Sequence, residues 1–162
     1  MDKSLLLEKL NKFCPEWIMK ADPSLSITEF LQQTISQVLP GLIGVKIEYL
    51  DDEKIIGSVP FCHKTANVMG YMHGGTIFSC GDTLAGAYLW AKSEANQFAI
   101  TTKSEIKYLK PFKKGVLKCI VTEKSRKERT VILEAIFEDE SKQIISSMNL
   151  EFLLMSPERQ KG

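Results

Sequence analysis

Residues 73–91 read HGGTIFSCGDTLAGAYLWA, and the reading of this stretch decides the fold. It opens on two glycines after a histidine and carries one formal charge, Asp82. The charge-poor zone is wider still and runs from Thr65 to Ala91 with Asp82 as its only ionised side chain. Charged residues make up 25% of the chain, so a segment of that length should hold about six or seven of them. As a helix, residues 74–91 would be about 27 Å long, enough to lie across a five- or six-stranded sheet. An exposed helix carries charges along one face, so this one is predicted to be covered all round. A sheet would cover one side and a second subunit the other. The segment is too rich in Gly, Ser and Thr, and too interrupted by Asp82, to read as a membrane span.

Outward from the helix the hydrophobic period changes to two. Val45, Ile47 and Tyr49 alternate with Lys46 and Glu48, Asp51-Asp52-Glu53 turns the chain, and residues 54–61 return as a second strand. Downstream, Ile100, Thr102, Ser104, Ile106 and Tyr108 alternate with Thr101, Lys103, Glu105 and Lys107. Three more strands are predicted at 116–123, 130–137 and 143–154, and their short connections imply antiparallel pairing. The first forty residues read as helical. Leu5, Leu6, Leu7 and Leu10 precede Pro15, and Ser26-Ile27-Thr28-Glu29 has the capping-box pattern. It opens a second helix carrying Phe30, Leu31, Ile35, Val38 and Leu39, with Pro40-Gly41 as its stop. The fold class is therefore α+β. A helical extension (1–40) covers an edge of the core, a sheet-and-helix domain spans 41–156, and a short tail follows (157–162).

Composition sets the outer bounds. With 162 residues the chain is long enough for one domain with a real core. Lys and Arg number 21 against 20 Asp and Glu, a net charge of +1, which offers no global attraction for nucleic acid or an anionic membrane. Cys14, Cys62, Cys80 and Cys119 form no C-x-x-C pair, and Cys62 beside His63 is poorly placed for two ligands of one zinc. They read as four reduced, mostly buried thiols of a cytoplasmic-type protein. Leu5-Leu6-Leu7 between Lys3 and Glu8 is too short for a signal-peptide core.

A carboxylate enclosed in such a helix costs several kcal/mol unless it is paired, hydrogen-bonded or protonated. A purely structural network is one explanation for Asp82. Its neighbours supply another. His73-Gly74-Gly75 stands where a loop enters the helix, so backbone N–H groups point outward there and a ligand can come close. That arrangement suits a developing oxyanion. Asn67 could donate to the same oxygen. Gly74 and Asp82 are eight residues apart, about 12 Å along a helix, whereas a base or nucleophile must stand within about 3 Å of the reacting centre. If both serve one reaction they come from different chains, with antiparallel helices at a dimer interface.

The pattern Asn67-x5-His73-Gly74-Gly75-x6-Asp82-x3-Gly86, with a strand ending Tyr108-Leu109-Lys110-Pro111, resembles the hotdog-fold acyl-CoA thioesterases, nearest to the phenylacetate-pathway and thioesterase-superfamily branch. The resemblance covers about 41–154. It implies an antiparallel sheet wrapped around one central helix, homodimers or homotetramers, and hydrolysis of acyl-CoA without a cofactor, coenzyme A being part of the substrate. It implies Asp82 as base or nucleophile, Gly74 N–H as the donor to the thioester carbonyl, Asn67 near the reacting centre and His73 as organiser of that corner. A water-positioning hydroxyl falls at Thr101 when counted back from Pro111, although strict alternation puts Thr102 on the helix side. Gly75 would allow close approach of the substrate. Lys113, Arg126 and Lys127 are candidates for the coenzyme A phosphates, from two basic clusters expected near one rim. Ile77, Phe78, Met69 and Tyr71 are candidates for the acyl pocket. Two other readings share the fold: a hydratase or dehydratase using His73 and Asp82, and a non-catalytic acyl-CoA-binding module. No G-x-S-x-G elbow or P-loop pattern competes.

Overall fold

The computed structural model describes residues 3–18, 22 and 24–156. The elements are α1 (Lys3–Phe13), α2 (Ile27–Ile35), α3 (Leu39–Leu42), β1 (Lys46–Leu50), β2 (Lys54–Pro60), α4 (Gly74–Lys92), β3 (Phe98–Tyr108), β4 (Val116–Lys127), β5 (Thr130–Glu138) and β6 (Ile144–Met155). The six strands form one antiparallel sheet in the order β1-β2-β4-β5-β6-β3. This is the predicted hotdog architecture. The chain leaves the sheet after β2, runs through α4 and re-enters at the opposite edge as β3.

Alternation explains which face of the sheet receives the helix. Leu117, Cys119 and Val121 of β4, Val131, Leu133, Ala135 and Phe137 of β5, and Met148, Leu150 and Phe152 of β6 are buried at every second position. On α4 the buried side chains include Ile77, Cys80, Leu84 and Tyr88. Two glycines let the layers close. A Cβ on Gly81 would lie 2.9 Å from Met148 Sδ and 3.0 Å from Phe137 Cζ, and one on Gly57 would lie 2.7 Å from Leu84 Cδ2.

The N-terminal helices close one edge of this sheet. Gln32 of α2 donates through Nε2 to Val45 O (3.2 Å) and accepts through Oε1 from Ile47 N (2.6 Å), so an amide side chain satisfies backbone groups of edge strand β1. α1 docks at the far end of α4, where Lys9 Nζ donates to Trp90 O at 2.8 Å, to Ser93 Oγ at 2.9 Å and to Ser93 O. Phe13 packs on Phe98 with ring centroids 5.1 Å apart. Among the described residues nothing pairs with the outer edge of β3.

Three expectations are corrected. The Ser26 capping box is present, but α2 ends at Ile35, and Pro40 falls in the first turn of α3, where its missing N–H costs nothing. β4 continues to Lys127, leaving Glu128-Arg129 as a two-residue hairpin turn with Glu128 at φ 51°, so Arg126 and Lys127 belong to a strand. The two basic clusters lie at opposite ends of the sheet, because Tyr108 pairs with Ser146 while the β4–β5 turn sits beside Leu153. Within one chain α4 is covered on its sheet side, which leaves the other side for the expected second subunit: Gly75 and Phe78 are exposed, Asp82, Thr83, Gly86 and Trp90 are half-buried, and a Cβ on Gly86 would meet nothing within 4 Å. A single sheet has only one face to offer. The 157–162 tail lies outside the described residues.

Candidate active site

The loop before α4 is held by Thr65, whose buried hydroxyl accepts from Cys62 N (2.8 Å) and donates to Pro60 O (3.0 Å). Its carbonyl receives His73 N at 2.8 Å and Thr76 Oγ1 at 3.2 Å, which seats the first turn of the helix. Between these anchors the chain makes a small excursion. Asn67 N donates to Tyr71 O (2.7 Å), while Asn67 Oδ1 accepts from Met69 N (2.9 Å) and Tyr71 N (3.2 Å). Two backbone donors on one side-chain atom identify it as the oxygen. The Nδ2 donors therefore face away from the turn.

His73 is the N-cap. Its Nδ1 accepts from Gly75 N at 2.8 Å, and its carbonyl accepts from Thr76 N (2.9 Å) and Ile77 N (3.3 Å). An accepting Nδ1 in a neutral ring puts the proton on Nε2. These bonds use up most of the helix's orphan donors, including Gly75 N–H, which is therefore not offered to a ligand. The N–H of Gly74 is left. It stands at the first helical position, where the helix itself supplies no acceptor.

Asn67 and Gly74 share a cavity of about 370 Å³ with Tyr71, Ile77, Tyr108 and Phe112. Of the four acyl-pocket candidates Tyr71 and Ile77 line it, whereas Met69 and Phe78 are exposed and do not. Tyr108, which no role was assigned in the sequence, donates from its hydroxyl to Gly74 O at 3.0 Å, and partial burial pushes its phenol above the ordinary range. Its place at the end of β3, three residues before Pro111, gave no chemical signal.

Asp82 lies on the open face of α4, two turns along, and does not line that cavity. Thr101 Oγ1 donates to Asp82 Oδ1 at 2.8 Å. Strict alternation would have sent Thr102 there, but a register shift between Thr101 and Lys103 breaks it, and Thr102 Oγ1 bonds Glu151 instead (Oε1 at 2.9 Å). Within one chain the site is thus in two halves: a donor corner of Asn67, His73 and Gly74, and a carboxylate–hydroxyl pair of Asp82 and Thr101.

The phosphate candidates are more dispersed. Arg126 grips Glu123 with two hydrogen bonds (2.9 and 2.7 Å), which raises the guanidinium and lowers the carboxyl. Lys127 is exposed at the same end. Lys113 lines a separate cavity of about 580 Å³ with Lys114, Asp139 and Glu140, at the donor-corner end of the sheet. Cys80 and Cys119 are buried free thiols, and Cys14 and Cys62 are half-buried. No cluster of three or more His, Cys, Asp or Glu side chains able to hold a metal is present among the described residues, and no helix among them is long and apolar enough to cross a membrane.

Comparison with known proteins fits this layout. Residues 69–146 match the family model of the thioesterase superfamily. A Saccharolobus solfataricus protein, provisionally named an esterase, is 29% identical over 93 residues, a match that takes in 57% of this chain and 61% of that protein's length. The structure of a Haemophilus influenzae thioesterase superposes with a TM-score of 0.77 at 16% identity, covering 89% of this chain and all (100%) of that one. A Streptococcus mutans protein bound to acetyl-CoA superposes with a TM-score of 0.64 at 21% identity over 70% of this chain and 90% of its own. At such identities the structural likenesses speak for the fold: the chain has the hotdog fold, and its residues 69–146 are similar to the thioesterase superfamily.

Proposed function

We propose that this protein hydrolyses the thioester of acyl-CoA in a site built from two chains. The observation that carries the reading is the division of the site: a donor corner at the start of α4 and a hydroxyl-supported carboxylate on the open face of the same helix, too far along it to serve the same carbonyl. A second chain with α4 antiparallel brings the Asp82 of one protomer toward the Gly74 of the other. The charge-poor open face, the vacant space over Gly86 and the unpaired edge of β3 all favour such a partner. The same antiparallel placement brings Lys127 from the β4–β5 end toward Lys113 of its partner, so the separated basic groups converge only between chains. Acetyl-CoA in the Streptococcus mutans protein supports coenzyme A as the carrier.

Chemically, the Asp82 carboxylate takes a proton from a water held with Thr101, and the resulting hydroxide attacks the thioester carbonyl. Negative charge on the carbonyl oxygen is received by Gly74 N–H, with Asn67 Nδ2 beside it. Collapse expels the coenzyme A thiolate and yields the free acid. Direct attack by Asp82 would give an anhydride that water then opens, and it uses the same two halves. A thioester suits this equipment, because thiolate leaves readily without a Ser-His-Asp triad.

The test is thiol release from a panel of short, long and aromatic acyl-CoAs by wild type and Asp82→Asn. Turnover by wild type, lost in an intact variant, supports the reading. An inert wild type sinks it and favours an acyl-CoA-binding module, and an undiminished variant removes Asp82 from the reaction.

A further inference from the structure

Tyr108 touches the donor corner in a way the reaction described above leaves unused. The peptide unit joining Gly74 to Gly75 is held at both ends by side chains from different parts of the fold. Its carbonyl accepts from Tyr108 Oη at 3.0 Å, and its N–H donates to His73 Nδ1 at 2.8 Å. The approach of the phenol is close enough to demand glycine. A Cβ on Gly74 would stand 2.9 Å from the Tyr108 hydroxyl oxygen and 3.0 Å from its Cζ. Two successive glycines at a helix start have wide backbone freedom, and helix ends fray. An oxyanion donor, by contrast, stabilises charge only if it is already aimed when charge develops. The Gly74 N–H lies in the preceding peptide plane, joined to this one through the φ and ψ of Gly74, so a grip on the Gly74 carbonyl narrows the range over which a glycine hinge can swing this N–H.

We propose that Tyr108 is a positioning residue: by gripping the Gly74 carbonyl from the end of β3 it holds the Gly74 N–H in its donating direction. The inference rests on the thioesterase reading for its catalytic consequence, while the grip itself is independent of it. Tyr108 also ties the donor corner to the strand that carries Thr101 seven residues earlier, so one rigid element steadies a half of each of the two shared sites.

The experiment is Tyr108→Phe in the full chain, with Asp82→Asn alongside. The ring, and so the wall of the cavity, is kept, and only the hydroxyl is lost. We expect kcat to fall about tenfold with KM within about twofold, the size of one lost hydrogen bond acting on the transition state. Amide exchange of Gly75, followed by NMR, should quicken about tenfold in the same variant. A Tyr108→Phe enzyme with unchanged kcat, or with KM alone altered, would overturn the positioning role while leaving the thioesterase reading intact. If wild type proves inert on every acyl-CoA, that reading fails separately, and unchanged Gly75 exchange would then overturn the grip as well.

Discussion

Asp82 is the residue on which the proposed chemistry turns, and Thr101 is its only hydrogen-bonding side chain among the described residues. A hydroxyl bonded to a carboxylate is worth about 1.5–3 kcal/mol, so Thr101→Ala should lower kcat by about ten- to a hundredfold. Steady-state kinetics on the best acyl-CoA checks it, and Thr101→Ser should restore most of the loss. Thr102→Ala, whose hydroxyl turns to Glu151, should leave kcat unchanged. Much of this site was legible in the sequence because its residues are chemically out of place: a charge in an apolar run, two glycines at a helix start. Alternation alone favoured Thr102 over the Thr101 reached by counting back from Pro111, because a one-residue register shift reverses which side a strand residue faces and leaves no mark in the alternation. Tyr108 was missed for a different reason. An aromatic residue at a strand end looks like packing, and its hydroxyl acquires meaning only through the glycine beneath it.

At the scale of elements, α4 is set by how closely it can approach the sheet. Gly81→Ala would press a methyl against Met148 and Phe137 and should destabilise the fold by about 1–3 kcal/mol, read as a lower urea midpoint with unchanged slope. The other end of α4 depends on Lys9, which is fully buried against the Trp90 and Ser93 carbonyls. Burial lowers its ammonium from 10.5 to about 8, against a smaller upward pull from Glu94. Between about pH 8 and 10.5 the unfolded chain keeps a proton that the folded chain releases, so this group makes stability rise with pH across that window. Lys9→Met should flatten the rise, measured as the difference in unfolding free energy between pH 8 and 10.5 for the two proteins. The long elements were readable because their hydrophobic periods are sustained. The boundaries that shifted depend on contacts the periodicity does not carry: the close packing of Gly41 on the Ser36 backbone, and the pairing of β4 with β5 out to Lys127 and Thr130.

For the whole molecule the question is what meets the faces one chain leaves open. One sheet edge is closed by Gln32 of α2; the other, β3, is not closed by any of the described residues, and the open side of α4 lies next to it. A partner placed there would cover Gly86, so Gly86→Arg should convert a dimer to monomers in sedimentation velocity with the fold retained. The sequence pointed to a partner through the missing charges on α4, yet it could not show how many copies assemble, since a dimer and a tetramer can bury this helix equally well. The central claim, that Asp82 of one chain serves the Gly74 N–H of another, has a direct measurement. Asp82→Asn removes the carboxylate, and Asn67→Asp keeps the Oδ1 that holds the turn while replacing the Nδ2 donor beside the Gly74 N–H with a negatively charged oxygen that opposes the oxyanion. Each homodimer should be inactive, and refolding the two together in equal amounts should restore thiol release to about a quarter of wild type, from the one intact site in each mixed dimer. A mixture as inactive as its parents would contradict a site shared between chains.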